Sequence, residues 1–489
     1  MAGRRLLRFS LLVVWILVSA VRPLLALPRV RHLDRFPCRM MMMTMDRLCA
    51  LSSSVDSWTG GRQYGYHIAA LNSLASSLVC ERTAPARRVP LFGASGPGPE
   101  LVSCLELTDA AYGAVTSAYT VGGLVASGLG AGSAVRKWGK KRTAVRAAVV
   151  LALGALAVGL GSSFRVLVCG RILIGMSCGI ATVVVPLHLA SVAPPAIAGS
   201  IGILTQIAIN VGIFAAQAFS IPLSKPMTGN WRIVQLISAV VAVAQIGTSY
   251  FIPDDLKERE VLMPKDDLAT VRHKRDDDAA ATGDNDSQGL SVGQVLRSSD
   301  PGIQKPLWTL VAIMLFQQLS GINAVMYYST SILTAVNPTS AQSVSLFMTF
   351  VNLIMTFPAI FLIDRVGRRS LLVASLFLLS LSTAVLGWAI NHDRFGLASA
   401  GIVAFVVSFA LGLGPVPFVL VGELPQEEAK SSTASIAVAV NWLANLGVGL
   451  VFLPLRDALA RGSGGTGTVF WIFTAVTGLG VLVVGGLLR

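Results

Sequence analysis

Apolar segments of about 20 residues recur along the chain, and each is long enough to cross a lipid bilayer as an α-helix. Short polar stretches separate them, and a weaker segment covers residues 64–80. The pattern predicts an all-α polytopic membrane protein with twelve transmembrane helices. The eleven stronger segments are residues 110–135, 144–162, 165–187, 199–221, 231–252, 307–334, 342–363, 370–390, 397–421, 432–455 and 466–488.

One long polar segment, residues 253–306, divides these helices into two sets of six. It holds eight Lys and Arg against twelve Asp and Glu, a composition typical of a solvated linker. We therefore expect four regions. They are a basic tail over residues 1–62, a six-helix half over 63–252, a cytoplasmic linker over 253–306 and a second six-helix half over 307–489.

The two halves show a weak internal repeat. WGKKR at residues 138–142 corresponds to VGRRS at 366–370, and Pro186 corresponds to Pro417. Transporters built from such repeats bind their substrate near the membrane midplane, between the halves.

A polar patch, Gln317–Ser329, interrupts the apolar run from Leu307 to Leu333 and reads QQLSGINAVMYYS. Polar groups in hydrocarbon lose water partners, so a membrane helix keeps them where they face a cavity or another helix. The patch is uncharged, and its amides both donate and accept hydrogen bonds. It therefore favours a neutral ligand rich in hydroxyls, such as a sugar or a polyol. The alternative is that these amides join helices without binding a substrate.

Composition excludes a soluble protein, because the mean hydropathy is +0.68 and only 13% of residues are charged. A net charge of +14 would suggest nucleic acid for a soluble chain. Here the tail over residues 1–47 carries nine Arg against two Asp, and the short loop over 136–142 carries five cations. Short basic loops stay cytoplasmic, so this loop and residues 365–369 predict cytoplasmic termini and no nucleic-acid partner.

The first 45 residues combine a basic start, an apolar run over Leu11–Ala20 and a Met cluster beginning at Met40. This order resembles a signal peptide. The competing interpretation, which we favour, is a true start further along, at one of the Met residues over 40–45.

Cys80 and Cys104 border a Pro- and Gly-rich loop, residues 81–107, which is expected on the outer side. An oxidising exterior permits a disulfide between them, and two free thiols are the alternative. Cys169 and Cys178 lie in an apolar helix, where a packing role is expected.

Three motifs resemble the sugar porter family of the major facilitator superfamily. QQLSGIN followed by YYS is similar to the seventh transmembrane helix of that family. GRILIGMSCGIATVVVPLHL at Gly170–Leu189 resembles the fourth helix, and GPVPFVLVGE at Gly414–Glu423 resembles the tenth. The resemblance covers nearly everything after Gln63, and it implies the twelve-helix facilitator fold.

The resemblance also implies roles for individual residues. The positions that match sugar contacts are Gln206, Gln317, Gln318, Asn323, Asn352, Asn441 and Trp442. The tryptophan of this set can stack on a sugar ring or serve as a packing residue. The positions that match gating residues are Tyr327, Tyr328, Pro415, Pro417 and Phe418. The positions assigned to a charge network are Arg171, Asp364, Arg365, Arg368, Glu423 and Lys430.

The chain departs from the family pattern at several charged positions. Arg136 stands where the first-half loop motif carries Asp, and Ser191 and Ala198 replace a Glu and an Arg. Phe418 replaces a Trp, and Lys430 replaces an Arg. The inner charge network is therefore expected mainly in the second half.

His67 lies where proton-coupled relatives carry an Asp that faces the fourth-helix Arg, here Arg171. Burial and repulsion by a permanent cation both disfavour a protonated histidine. We therefore expect facilitated diffusion without obligatory proton movement. The alternatives are that His67 itself carries the proton or that it is a packing residue.

Together these features predict an integral membrane protein that transports a hexose-like monosaccharide or a polyol by alternating access. The alternatives are a proton-coupled sugar symporter, with protons as a further partner, and a transport-inactive sugar sensor. The chain ends at Arg489 directly after its last span, which disfavours the sensor. No catalytic pair, metal-ligand motif or nucleotide motif is found, so neither an enzyme nor a cofactor is expected. The sequence fits a plasma membrane and a vacuolar membrane equally.

Overall fold

A computed structural model describes residues 55–71, 74–80, 87–90, 100–193, 198–225, 228–249, 289–334, 341–461 and 465–488. The predictions for the first 54 residues and for most of the linker lie outside this range. The described residues are mostly helical, and eleven helical stretches among them are long and apolar enough to cross a membrane.

The first set of helices forms an up-and-down series before the linker. It consists of α1 (Val55–Ala69), α2 (Ala75–Leu78), α3 (Asp109–Val125), α4 (Gly132–Trp138), α5 (Lys140–Leu160), α6 (Phe164–Val192), α7 (Ala198–Gly202), α8 (Leu204–Leu223) and α9 (Trp231–Ser249). A π-helical turn, Ala126–Ala131, joins α3 to α4 in one continuous span.

The second set begins with a short helix inside the segment assigned to the linker. It consists of α10 (Val292–Arg297), α11 (Pro301–Leu319), α12 (Ile322–Thr334), α13 (Ala341–Val366), α14 (Arg368–Asn391), α15 (Phe395–Ser408), α16 (Pro415–Glu423), α17 (Lys430–Leu459) and α18 (Val469–Leu487). A second π-helical turn, Phe409–Leu413, joins α15 to α16.

The first helix differs from the sequence prediction. The sequence predicts a weak span over residues 64–80, whereas α1 covers Val55–Ala69 and the chain turns after it. The reason is close packing against α8, where a Cβ on Gly65 would lie 1.9 Å from the carbonyl oxygen of Ile209. Because α1 lies among other helices, its sequence does not have to be apolar in order to avoid placing polar groups in lipid.

A short hairpin lies at the end of the first half that is opposite the basic loop over residues 136–142. Its strands β1 (Arg88–Pro90) and β2 (Glu100–Val102) are antiparallel. Cys80 and Cys104 are joined by a disulfide, with their Cα atoms 5.1 Å apart. Arg232 of α9 donates from Nη2 to the Val102 carbonyl oxygen at 2.9 Å. The disulfide and this hydrogen bond hold the described residues of the loop against the helical bundle.

The two halves contact each other towards both ends of the bundle. At the end that carries the basic loop, the backbone N–H of Gly132 donates to Ser435 Oγ at 2.8 Å. Towards the opposite end, Gln217 Nε2 donates to Ser345 Oγ at 2.9 Å. The two halves are therefore in contact towards both ends of the space that lies between them.

Candidate functional site

A narrow cavity lies between the two halves, near the middle of the bundle. Its volume is about 390 Å³ including its open side. Only about 30 Å³ of this volume can hold the centre of a water molecule. None of its lining side chains is charged. The lining includes five of the seven predicted sugar contacts, namely Gln206, Gln317, Gln318, Asn323 and Asn352.

A break in the helix places the second-half amides around this cavity. The chain turns between α11 and α12 at Gly321, whose φ of +88° is a conformation that favours glycine. Across the break, Asn323 Nδ2 donates to Gln318 Oε1 at 2.6 Å. Gln318 Nε2 in turn donates to Asn441 Oδ1 on α17 at 2.9 Å. The amides therefore form a continuous chain of hydrogen bonds.

Gln317 is bonded to protein at both of its polar atoms. Its Nε2 donates to the carbonyl oxygens of Leu413 and Gly414, at 2.8 and 3.2 Å. Its Oε1 accepts from Asn441 Nδ2 at 2.7 Å. These carbonyls lie where the π-helical turn meets α16, so the side chain stabilises this break in addition to lining the cavity.

Asn210 is a lining residue that the sequence analysis does not select. Its Oδ1 accepts from Gln206 Nε2 and from Asn352 Nδ2, both at 3.1 Å. Its Nδ2 donates to Thr356 Oγ1 at 2.7 Å. Asn210 thus bridges α8 of the first half to α13 of the second. Its position one turn after Gln206 is the signal that could have identified it.

The hydrogen-bond pattern leaves oxygen atoms for a ligand. Every amide nitrogen in this network donates to protein. Among the described residues, Gln206 Oε1 and Asn323 Oδ1 accept no hydrogen bond, and Asn352 Oδ1 is buried without a partner. A ligand that fits this arrangement supplies hydroxyl donors, because the unoccupied atoms are acceptors.

Asn441 and Trp442 lie one layer behind the cavity and do not line it. The amide of Asn441 bonds to the glutamines of α11. The indole of Trp442 packs against Tyr64 and Tyr119, with ring centroids 5.2 and 5.3 Å away. It is 1% exposed, so of the two roles considered the structure favours packing. Tyr64, which the sequence analysis also missed, lines the cavity in its place.

The predicted gating residues occupy two places. Tyr327 donates from its hydroxyl to Asn445 Oδ1, and Tyr328 donates to the Gly449 carbonyl oxygen, both at 3.1 Å. These bonds hold α12 against α17. Pro415, Pro417 and Phe418 are buried in α16, and the phenylalanine lines the cavity.

His67 is bonded to α9. Its Nε2 lies 2.7 Å from Ser238 Oγ, and the same hydroxyl donates to Gln63 Oε1 at 2.8 Å. The hydroxyl proton is therefore committed to Gln63, so His67 Nε2 is the donor to the serine. Its Nδ1 is buried without a partner among the described residues, so a second proton there would have no acceptor, and the ring is held as part of the packed helix interface.

Arg171 does not join the charge network to which the sequence assigns it. Its Nη2 and Nε reach the carbonyl oxygens of His67 and Val115, at 3.5 and 3.4 Å. Its guanidinium also lies over the ring of Tyr119, 4.7 Å from the centroid. No Asp or Glu occurs between residues 110 and 253, so the neighbouring first-half helices offer carbonyls and an aromatic face in place of a carboxylate.

The remaining charges form a smaller network than expected. Arg368 pairs with Asp364 at 3.1 Å and with Glu423 at 2.9 Å. Lys430 pairs with Glu427 one turn earlier and not with this group. Arg365 is exposed and makes no ion pair within the described residues. The same residues contain no group of three or more His, Cys, Asp or Glu side chains placed to hold a metal ion.

Comparison with known proteins gives several similar chains. A probable metabolite transport protein of Saccharomyces cerevisiae is 30% identical over 444 residues, which cover 86% of this chain and 88% of that protein. Facilitated glucose transporter protein 1 of Caenorhabditis elegans is 31% identical over 441 residues, covering 84% and 82%. The structure of the Escherichia coli proton:xylose symporter bound to 6-bromo-6-deoxy-D-glucose matches with a TM-score of 0.72 at 20% identity. That match covers 88% of this chain and 94% of the symporter.

The structural match confirms the predicted fold class, the helical major facilitator fold of an integral, multi-pass membrane protein. A family model described as sugar (and other) transporter matches residues 55–486. This match spans both helical halves and every residue of the cavity. The chain therefore belongs to the sugar (and other) transporter family.

Proposed function

We propose that this protein carries a neutral monosaccharide or polyol across its membrane through the central cavity. The observation that carries the proposal is that Gln206, Asn323 and Asn352 line an uncharged cavity and that their side-chain oxygens accept no hydrogen bond among the described residues. Hydroxyl groups of a sugar supply the matching donors. The rings of Tyr64, Phe409 and Phe418 provide apolar surface for the C–H faces of the sugar.

The similar proteins support a sugar as the substrate. One is a facilitated glucose transporter and another is a proton:xylose symporter. The uncharged lining of the cavity adds to this support, because a phosphorylated or acidic sugar would bring an anion to a site without a cation. We therefore place hexoses and other neutral polyols ahead of sugar acids and sugar phosphates.

Alternating access is the mechanism that suits this geometry. The free space is too narrow for a monosaccharide, so the halves must move apart to admit one. Helix breaks at Gly321 and at the α15–α16 junction lie beside the cavity and give α12 and α16 local freedom to move. The basic loops at residues 136–142 and 365–369 favour an orientation with both termini in the cytoplasm.

The transport mode proposed is facilitated diffusion. Among the described residues Arg171 bonds to carbonyl oxygens and to no carboxylate, and His67 is hydrogen-bonded to Ser238, so we assign neither position a proton exchange during the cycle. Proton-coupled sugar transport is the second candidate, because a structurally similar protein is a proton:xylose symporter.

The experiment is uptake of radiolabelled sugars into proteoliposomes that contain the purified protein. The panel comprises glucose, galactose, xylose, a linear polyol and the sugar acid glucuronate. We expect saturable uptake of at least one neutral compound, competition by the others, and no uptake of glucuronate. Uptake equal to that of protein-free liposomes for every neutral compound would contradict the proposal.

A further inference from the structure

A groove runs along the outside of the second half, between α14 and α18. It lies at the end of these helices that carries the loop over residues 365–369, and it measures about 1210 Å³ including its open side. Val373 and Phe377 form one wall, and Leu482 forms part of the other. The groove is separate from the central cavity, and sugar transport does not account for it.

The walls of the groove are apolar and exposed. Phe377 is 54% exposed and Leu482 is 73% exposed. In a membrane-spanning bundle, side chains with this exposure on the outer surface contact hydrocarbon. A groove bordered by them therefore suits an acyl chain that lies along the helices.

Arg369 is fixed at the polar end of the groove. Its Nε and Nη2 both donate to the carbonyl oxygen of Gly485, at 3.2 and 2.8 Å. This carbonyl is in the last turn of α18, where backbone oxygens lack helical partners. The guanidinium is thus held across two helices, and its Nη1 has no partner among the described residues.

The charge at this end of the groove favours an anion. The groove lining contains no acidic side chain. The nearby carboxylates of Asp364 and Glu423 are paired with Arg368. Arg365, on the same loop, is exposed and adds a second cation. Among these described side chains, three arginines stand against two carboxylates, a net charge of +1, so a phosphate group at Arg369 would meet net positive charge.

Two glycines keep the groove open. A Cβ on Gly486 would meet no atom within 4 Å, and one on Gly485 would meet only Val373 Cγ2, at 3.6 Å. Larger side chains are therefore sterically tolerated by the protein itself, but they would occupy the space of a ligand.

We propose that this groove binds one anionic glycerophospholipid, with its phosphate at Arg369 and an acyl chain along Val373, Phe377 and Leu482. The geometry matches a lipid because the cationic end and the apolar walls are continuous and run in the direction of the helices. An Arg near the membrane surface attracts an anionic lipid modestly, so the site is selective and exchanges its lipid.

The experiment is native mass spectrometry of the purified full chain in detergent, titrated with palmitoyl-oleoyl phosphatidylglycerol. Phosphatidylcholine with the same chains serves as the neutral lipid. We expect the wild type to bind phosphatidylglycerol more tightly, and Arg369→Gln to weaken that binding roughly fivefold while leaving phosphatidylcholine unchanged. Arg369→Lys, which keeps the charge, should retain most of the preference.

The steric variant tests the groove independently of the charge. Gly486→Phe should reduce binding of both lipids, because the ring fills the space of the acyl chain. Gly247→Phe on α9 is the matched control, since a Cβ there also meets no atom within 4 Å, and it should bind as the wild type does. The proposal is wrong if the wild type binds the two lipids equally, or if either Arg369→Gln or Gly486→Phe binds phosphatidylglycerol as tightly as the wild type.

Discussion

Asn352 lines the central cavity and its buried Oδ1 has no partner among the described residues, whereas both polar atoms of Gln317 are bonded to protein. The two side chains have the same chemistry, and the sequence assigns both to sugar binding. Their hydrogen-bond partners distinguish their roles, because an atom that is already bonded to the backbone is less available to bind a ligand. Residue identity therefore predicts the polar site, and only the hydrogen-bond partners divide it into binding and supporting groups.

Asn352→Ala is expected to weaken the apparent affinity for the transported sugar by about 1–3 kcal/mol, the range for a hydrogen bond whose partner is left unmatched. The fold should persist, because Asn210 Oδ1 still accepts from Gln206. The measurement is KM for uptake into proteoliposomes, with the thermal unfolding midpoint recorded in parallel. An unchanged KM would remove Asn352 from the binding site.

Gln317→Ala is expected to act on stability as well as on transport. The change removes the donor to the carbonyls of Leu413 and Gly414, at about 1–3 kcal/mol for each buried group that stays unsatisfied, whereas the Asn441 amide keeps its bond to the Met314 carbonyl oxygen. The thermal midpoint in detergent should therefore fall below that of Asn352→Ala. A midpoint equal to that of the wild type would show that the bonds to the α15–α16 junction are dispensable.

Side-chain direction limits what the sequence predicts at this scale. The sequence places His67 and Arg171 on facing helices and treats them as a pair. In the structure Arg171 contacts the backbone oxygen of His67, while the imidazole is bonded to Ser238. Helical periodicity identifies the adjoining faces but does not determine which atom of a residue is presented to its neighbour.

At the scale of helices, α1 shows where hydropathy fails. Its Gln63 and His67 are buried and bonded to α9, so their polarity is satisfied inside the protein. The lipid-facing spans carry no such requirement, and their positions are predicted within several residues. A helix that is enclosed by other helices is the one whose bounds a hydropathy pattern predicts worst.

Gly212→Ala tests how closely α1 and α8 pack. A Cβ at this position would lie 2.0 Å from the Arg62 carbonyl oxygen, so the helices must separate, at a cost of about 1–3 kcal/mol or more. We expect a lower thermal midpoint and less folded protein by size-exclusion chromatography. Gly113→Ala is the matched control, because a Cβ there meets no atom within 4 Å, and its midpoint should not fall. Equal midpoints for both variants would contradict the packing assigned to α1.

At the scale of the whole molecule, hydrogen bonds join the two halves at the end that carries the basic loops. Ser200 of α7 donates to Asp364 Oδ2 of α13 at 2.7 Å, and Arg136 Nη1 donates to Ser432 Oγ of α17 at 2.7 Å. The family pattern places an acid at position 136, yet the arginine here still bridges the halves by a different bond. The sequence predicts a weakened network, and in the structure the hydroxyl groups of Ser200 and Ser432 take part in the bonds that join the halves at this end.

Asp364→Asn is expected to loosen this end of the molecule. It removes one ion pair of Arg368 and weakens the bond from Ser200, by about 1 kcal/mol. Amide hydrogen exchange measured by mass spectrometry should accelerate roughly fivefold in peptides that cover α7 and the end of α13. Arg365→Gln, on the same loop but at a residue with no ion pair among the described residues, is the control and should exchange as the wild type does. Exchange unchanged in both variants would mean that the network does not close this side.

Energy coupling is the property of the whole molecule that follows from these contacts. A proton symporter needs a group that gains and loses a proton as the site alternates between the two sides. The first half carries no Asp or Glu between residues 110 and 253. His67 donates from Nε2 to Ser238, and its Nδ1 is buried without an acceptor among the described residues. Arg171 is bonded to carbonyls and keeps its proton. We therefore expect sugar to equilibrate across the membrane without accumulating.

Proteoliposomes with an imposed inward proton gradient test this expectation. The internal sugar concentration should rise to the external value and stop there, with and without an uncoupler. His67→Asn should behave in the same way, because an asparagine amide cannot carry a proton. Accumulation above the external concentration that collapses with the uncoupler and disappears in His67→Asn would identify His67 as the coupling group. That outcome would replace facilitated diffusion by proton symport while leaving the sugar site in the central cavity unchanged.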